Sequence, residues 1–136
     1  MAGWTTRSIS DLPAVSDGGP DDPIWYPVQH ALGIDAFGVN VFVARRAGQV
    51  LVEEHDEQES GQQELYLVLE GSAVFEVDGE EVRLDRGHAL AVSDPAVARR
   101  GTADAAGTTL LAVGSADGPF SSTWNAAHFA DIPRPD

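Results

Sequence analysis

The sequence contains no cysteine and few basic residues, and both shortages exclude whole classes of function. Because there is no cysteine among the 136 residues, disulfides, thiolate metal ligands and cysteine nucleophiles are excluded. Only 8 lysines and arginines stand against 22 aspartates and glutamates, which gives a formal net charge of −14. Since such a surface repels phosphate backbones and anionic lipids, we expect neither nucleic-acid nor membrane partners.

Long hydrophobic runs are missing as well. No run approaches the roughly 18 apolar residues of a membrane span, and the opening MAGWTTRSIS lacks the apolar core of a signal peptide. There is also no P-loop, no dinucleotide-binding glycine pattern and no G-x-S-x-G elbow. We therefore expect a cytoplasmic protein and find no support for nucleotide binding or serine hydrolysis.

Short strand patterns separated by turn residues fill the middle of the sequence. Within 73–84, two alternating runs flank Asp78-Gly79, a pair suited to the type I′ turn of a hairpin. The run ELYLVLE at 64–70 is apolar on both faces, which predicts a central strand that is covered on both sides. The pattern predicts an all-β sandwich or barrel over residues 36–115. The other strand-like runs lie at 36–46, 49–55, 89–93 and 108–115.

The two ends of the sequence differ from this middle part. Residues 1–35 form an extension of strand and loop, with a strand-like run at 4–10 and a helical turn near 28–32. Residues 116–136 form a tail, in which the pattern over 122–132 predicts a short helix. At 136 residues, we expect these parts to make one domain.

One histidine and several carboxylates flank the loop between two predicted strands. His55 ends one run, and Glu64 begins the next, with Tyr66 and Val68 on the same face. If these two strands pair, the loop brings His55, Glu57 and Glu64 close together. An imidazole and two carboxylates suit a divalent cation such as Mn, Fe, Ni or Zn, and they also suit acid–base chemistry without a metal. The alternative is an exposed acidic loop that binds nothing.

Two adjacent arginines are unusual in so acidic a chain. Because consecutive strand residues point to opposite faces, only one of Arg99 and Arg100 can face the interior. An inward arginine could bind a carboxylate with two hydrogen bonds, whereas the alternative is an ion pair with one of the many surface acids. The remaining histidines are expected to be surface or structural residues: His30, His88 and His128.

Residues 37–114 resemble the cupin superfamily of small jelly-roll barrels. The first cupin motif ends in E-x6-G, which Glu64 and Gly71 match, and VDGEEVRLDRGHALAVSDP resembles the hairpin that joins the two family motifs. The resemblance implies a small single-domain RmlC-like cupin, and it implies a homodimer, because cupins often dimerise through elements outside the barrel.

The same resemblance implies an incomplete metal centre. Family centres generally use two histidines and a glutamate from the first motif and a histidine from the second. Here Glu64 takes the glutamate position, and His55 is the one histidine left for the first motif. Glu57 takes the position of the second histidine of that motif. The second-motif histidine position falls on Ala98 or on Arg100, depending on where the count begins. An arginine there would repel a metal ion and favour an organic anion.

Three functions are compatible with these residues. The first is a cupin that binds a small organic molecule of unknown identity at a degenerate metal site, with Phe42 and Tyr66 as walls and His55, Glu64 and Arg100 as polar contacts. The second is a metal-dependent oxygenase, isomerase or lyase that holds its ion with the histidine and the carboxylates. The third is a metal-free isomerase that uses His55 with either Glu57 or Glu64 as the catalytic pair. Because most family histidines are missing, the first is favoured.

Overall fold

Nine strands and one short helix make up the described part of the chain. The structure is a computed structural model, and it describes residues 3–15, 19–116, 131 and 133. The helix α1 spans Val28–Leu32, as expected near 28–32. The strands are β1 (Ile24–Tyr26), β2 (Gly38–Val43), β3 (Val50–His55), β4 (Gln63–Glu70), β5 (Ser72–Val77), β6 (Glu80–Asp85), β7 (Ala89–Val92), β8 (Arg99–Ala103) and β9 (Thr109–Ser115).

The strands form two sheets that pack face to face. One sheet has the order β1-β2-β9-β4-β7 and the other has the order β3-β8-β5-β6. Neighbouring strands are antiparallel throughout. The strands β1 and β3 therefore lie at sheet edges. This arrangement confirms the predicted all-β jelly roll.

The core lies between the two sheets. Tyr66 and Val68 of β4 and Leu110 of β9 meet Phe75 of β5, and all four side chains are fully buried. The rings of Tyr66 and Phe75 come from opposite sheets, and their centroids are 5.1 Å apart. Full burial of side chains of this size contributes about 1.5–3 kcal/mol each, so this layer holds the sandwich together.

A second apolar cluster covers part of the outer face of the first sheet. Leu12 and Val28 of the N-terminal extension are buried against Val39 and Val41 of β2. The alternation of β2 explains this, because its odd-numbered valines face outward while Phe42 faces the core. The extension therefore serves as the outer layer over β2 and β9.

The expected double coverage of β4 is wrong in the described part of the chain. Its inner face is buried, but Leu65 and Leu69 on the outer face are 39% and 37% exposed. The extension packs over β2 and β9 and does not reach across to β4. An apolar run with two apolar faces thus marks a strand whose second face is only partly covered.

Three local expectations have different outcomes. The hairpin turn is confirmed, because Asp78 and Gly79 both have positive φ, 52° and 81°. The strand-like run at 4–10 does not form a strand: a 3-10 turn occupies Ile9–Asp11, and β1 pairs with β2 instead. The predicted helix over 122–132 lies outside the described residues, apart from Asp131. No helix in the described part is long and apolar enough to cross a membrane.

Candidate functional site

His55, Glu57 and Glu64 come together across the space between the two sheets. The Nε2 atom of His55 lies 3.1 Å from Glu57 Oε1 and 3.3 Å from Glu64 Oε1. One ligand-type atom from each residue falls within 4.8 Å of the others. The two strands do not pair as expected, since β3 and β4 belong to different sheets. The cluster forms because these strands face one another, not because they are neighbours.

The end of β3 directs the His55 side chain inward. The pairing of β3 with β8 shifts register between Val50 and Val52 and again between Val52 and His55, and such irregularities re-aim side chains. The Nδ1 atom of His55 lies 2.8 Å from the Glu53 carbonyl oxygen, while Nε2 faces carboxylates. Both ring nitrogens of His55 therefore face oxygen atoms that accept hydrogen bonds.

The loop after β3 holds Glu57 in place. The Glu57 backbone N–H donates to the Pro95 carbonyl at 2.8 Å, and the Ser60 hydroxyl donates to Glu57 Oε2 at 2.5 Å. Next to it, hydrogen bonds from the backbone and side chain of Gln58 lower the pKa of the exposed Asp56 carboxyl. The loop is therefore an ordered turn that presents Glu57 to the histidine.

Arg99, and not Arg100, enters the site. The Arg99 side chain is 0% exposed, and its Nη2 donates to Glu64 Oε1 at 3.0 Å while Nη1 donates to the Val97 carbonyl at 2.7 Å. Arg99 also lies directly opposite His55 in the β3–β8 pair. Arg100 is only half-buried, points to the other face of β8 and does not line the cavity described below. The inward-facing Arg99 therefore lies one residue from each of the two positions, Ala98 and Arg100, at which the sequence placed the second-motif histidine.

One oxygen of Glu64 accepts hydrogen bonds from several side chains. The Tyr66 hydroxyl donates to Oε1 at 2.9 Å, the same atom that Arg99 and His55 approach. Burial first, and then the negative charge of Glu64, raise the pKa of Tyr66 above its usual value of 10.0. Tyr66 therefore remains a neutral donor at neutral pH, and its hydrogen bond helps to hold the Glu64 carboxylate in position.

Beside this cluster lies a cavity of about 920 Å³, lined by inner-face residues of the first sheet and by all six residues of β3. Phe42 and Tyr66 line it, as expected, together with His55 and Glu64. Among the lining residues that the sequence did not suggest are Trp25 and Asn40. The alternation of β2 places Asn40 beside Phe42 and could have revealed it, whereas the three-residue strand that carries Trp25 gives too short a signal.

The segment Asp21–Pro23 lies along the rim of this cavity. The buried Gln49 donates from Nε2 to the Asp21 carbonyl at 2.9 Å and accepts at Oε1 from the Arg45 backbone N–H at 2.6 Å. Arg46 forms an ion pair with the Asp21 carboxylate at 3.0 Å. The turn between β2 and β3 thus holds the extension against the cavity mouth.

Comparison with solved structures identifies the fold. The chain is similar to a cupin protein from Bacteroides fragilis, with a TM-score of 0.69 and 18% identity over 91% of this chain and 93% of that chain. The chain has the cupin fold. It is also similar to an RmlC-like cupin from Shewanella frigidimarina (TM-score 0.64, 17% identity, 86% and 93% covered). The chain is similar, too, to a sugar phosphate isomerase of the cupin superfamily from Silicibacter pomeroyi, with a TM-score of 0.66 and 19% identity over 83% of this chain and 76% of that chain.

No protein-family model matches the sequence, and the search of curated proteins finds no match. The cupin likeness at these identities describes architecture. Because one architecture supports many activities, the function has to be argued from the residues of the site.

The residues of this chain do not fit the metal centre that the resemblance to cupins implies. His55 is the one imidazole in the cluster, and Arg99 stands on the β8 strand directly opposite it. An ion bound to Glu64 Oε1 would displace hydrogen bonds that the atom already accepts. It would also lie within a few ångströms of a buried guanidinium, where each unit of positive charge on the ion is repelled by about 4 kcal/mol at 4 Å and an effective dielectric constant near 20.

Proposed function

We propose that this cupin binds a small organic molecule in its cavity without a metal ion. The observation that carries the proposal is the ion pair between Arg99 and Glu64, 3.0 Å long and with the arginine side chain fully buried. Arg99 lies directly opposite His55 and donates to the Glu64 carboxylate, so it places a fixed positive charge beside the cluster where an ion would have to bind. The chain itself thus pairs the Glu64 carboxylate at this end of the cavity.

The lining of the cavity supports binding of a molecule with both apolar and polar parts. Trp25, Phe42 and Tyr66 provide aromatic surface, while His55 and Glu64 provide polar groups at one end. A concave site with apolar walls and few convergent polar groups is the usual form of a small-molecule site. The volume of about 920 Å³ accommodates a ligand of metabolite or drug size.

A second candidate function is metal-free acid–base isomerisation. It is favoured by His55, which lines the cavity and whose Nε2 lies within 3.3 Å of two carboxylates. One similar structure is named a sugar phosphate isomerase. A phosphate ester is a poor fit here, because Arg46 is the one arginine or lysine lining the described cavity and it already pairs with Asp21. An isomerase substrate would therefore lack phosphate.

The alternative of a metal-dependent oxygenase, isomerase or lyase is tested by elemental analysis. We expect protein purified without chelator to contain substoichiometric metal, and we expect Mn, Fe, Ni or Zn to leave its melting temperature unchanged. Stoichiometric metal that is lost in His55→Ala would overturn the proposal.

Ligand binding is tested separately by filling the cavity. Ala112 lines the cavity, whereas Ala89 is exposed on β7 and does not line it. Fragments found by ligand-observed NMR with the unmodified protein should lose binding in Ala112→Leu and keep it in Ala89→Leu. Binding that is equal in both variants would place the fragments elsewhere and contradict the proposal.

We also propose that the chain forms a homodimer. The exposed Leu65 and Leu69 on the outer face of β4 support it, because they are apolar residues on a strand with partial cover in the described chain. Sedimentation at micromolar concentration should give twice the mass of one chain, and a monomer would refute the dimer.

A further inference from the structure

We propose that the cavity selects an organic cation with an aromatic or other apolar part, and this inference rests on the proposed ligand-binding function. It replaces the organic anion that the sequence suggested. Two independent features lead to it: the balance of charge around the cavity and an exposed tryptophan face inside it.

The charge around the cavity is negative after its ion pairs are counted. The carboxylates of Glu64 and Asp21 are matched by Arg99 and Arg46. Three further carboxylates line the cavity and form no ion pair with any described residue: those of Asp22, Glu53 and Glu54. Because a cleft with low-dielectric walls focuses such charge, the cavity attracts cations and repels phosphates and carboxylates.

Glu53 and Glu54 stand next to one another near the end of β3, and both are exposed. Because β3 is an edge strand and every one of its residues borders the cavity, the whole strand forms one wall of the opening. The two adjacent glutamates therefore add negative charge at that wall.

Trp25 provides an aromatic face for a cation. Its ring stacks on Phe42 with centroids 6.2 Å apart, and its indole N–H donates to Asn40 Oδ1 at 2.7 Å, so the ring is held on one side and at its polar atom. The residue remains 40% exposed and lines the cavity. A cation over a tryptophan face gains about 0.5–2 kcal/mol, in addition to its attraction to the carboxylates.

Three probes with the same skeleton test the inference: phenylbutylamine, phenylbutanol and phenylbutyrate. By isothermal titration calorimetry at low ionic strength, the amine should bind at least about tenfold more tightly than the alcohol. The carboxylate should bind most weakly. Added salt should weaken binding of the amine and leave binding of the alcohol nearly unchanged.

Matched charge variants locate the effect. The double variant E53Q/E54Q should reduce the preference for amine over alcohol to about threefold or less. The double variant E80Q/E81Q removes the same charge from exposed positions of β6 that do not line the cavity, and it should leave the preference intact. Trp25→Leu should weaken binding of the amine more than binding of the alcohol, because only the cation gains a cation–π interaction with the ring.

The inference is wrong if the alcohol or the carboxylate binds as tightly as the amine, or if the amine does not bind at millimolar concentration. Equal binding of all three probes that is lost in Ala112→Leu would leave cavity binding intact and reject only the preference for cations. An equal loss of preference in E53Q/E54Q and E80Q/E81Q would assign it to overall acidity and overturn the cavity origin.

Discussion

Arg99 donates a hydrogen bond of 3.0 Å to Glu64 across the inside of the sandwich, and it does so from a fully buried side chain. Arg99 belongs to β8 and Glu64 to β4, so that this single contact ties one sheet to the other. Isolated buried charges are costly, and each of these two is stabilised by its partner. The pair is therefore a structural contact between the sheets, and its carboxylate member, Glu64, also lines the cavity.

Removing only the arginine should destabilise the fold strongly. Arg99→Met keeps the length of the side chain and leaves Glu64, 13% exposed, without its cation. We expect the free energy of unfolding to fall by about 3–5 kcal/mol, measured by urea denaturation. The double variant R99M/E64L removes both charges and should recover most of that loss.

Arg100→Met is the matched control for this prediction, because Arg100 lies on the opposite face of β8 and is only half-buried. It should change the free energy of unfolding by at most about 1 kcal/mol. Equal effects of the two single variants would show that the buried ion pair contributes nothing specific.

Replacing the same arginine by histidine should create a metal site. R99H removes the guanidinium that repels a cation and adds an imidazole opposite His55, beside Glu57 and Glu64. Two imidazoles and two carboxylates suit Zn, Ni or Fe. We expect Zn or Ni to raise the melting temperature of R99H by several degrees and to have no effect on the unmodified protein.

The double variant R99H/H55A separates a designed site from chance binding. It should lose the metal-dependent increase in melting temperature, because one imidazole is gone. An increase that persists would mean that the metal binds elsewhere, for example to exposed acids. An increase in the unmodified protein would contradict the argument that Arg99 prevents binding.

The fold was largely predictable because its signals are local. The alternation in β2 and around the Asp78-Gly79 turn depends on residues next to one another in sequence, and the structure confirms both. The three-residue strand β1 was not identified, since it is too short. Of β8, only Arg99 and Arg100 were treated as strand residues, since the sequence RRGTA contains no apolar run. Such strands are determined by their partners in the sheet.

The residues of the cluster were predictable from the sequence, but their arrangement was not. His55, Glu57 and Glu64 meet as expected, but across two sheets, which no local pattern encodes. The choice between Arg99 and Arg100 depends on the register of β8, and a shift of one residue reverses which side chain faces inward. Trp25 reaches the cavity only because β1 pairs with β2 from a distance along the chain.

The buried Tyr66 hydroxyl should make stability depend on alkaline pH. Burial raises the pKa of Tyr66 in the folded protein above its usual value of 10.0. Below that value both the folded and the unfolded chain hold the proton, so the contribution is fully present. Above it the unfolded chain releases the proton and the folded chain does not, so the free energy of unfolding falls as the pH rises.

Tyr66→Phe tests this pH dependence. At neutral pH the free energy of unfolding of this variant should be about 0.5–1.5 kcal/mol lower, because the hydrogen bond to Glu64 is lost. Between about pH 9 and pH 11 its urea midpoint should fall less steeply than that of the unmodified protein. Parallel curves would show that Tyr66 ionises at its usual pKa.

The buried Gln49 should hold the rim of the cavity in place. Gln49→Ala removes hydrogen bonds to the Asp21 carbonyl and the Arg45 backbone N–H. We expect a loss of about 1–3 kcal/mol in the free energy of unfolding and faster hydrogen exchange in residues 19–23. Gln58→Ala is the control, because Gln58 is exposed in a loop outside the cavity lining, and it should leave exchange at 19–23 unchanged.

Gly101 is needed in β8 because the Phe75 ring lies directly against it. A Cβ atom at Gly101 would come within 2.6–2.9 Å of three atoms of the Phe75 ring, which is fully buried. Gly101→Ala should therefore lower the free energy of unfolding by about 1–3 kcal/mol through overpacking.

Gly38→Ala is a matched change in β2, where the new Cβ would meet only the Gly114 carbonyl oxygen at an ordinary 3.7 Å. It should be neutral or slightly stabilising, since alanine restricts the unfolded chain more than glycine does. Both values come from urea denaturation, and equal effects of the two substitutions would show that contact with Phe75 does not determine the residue at position 101.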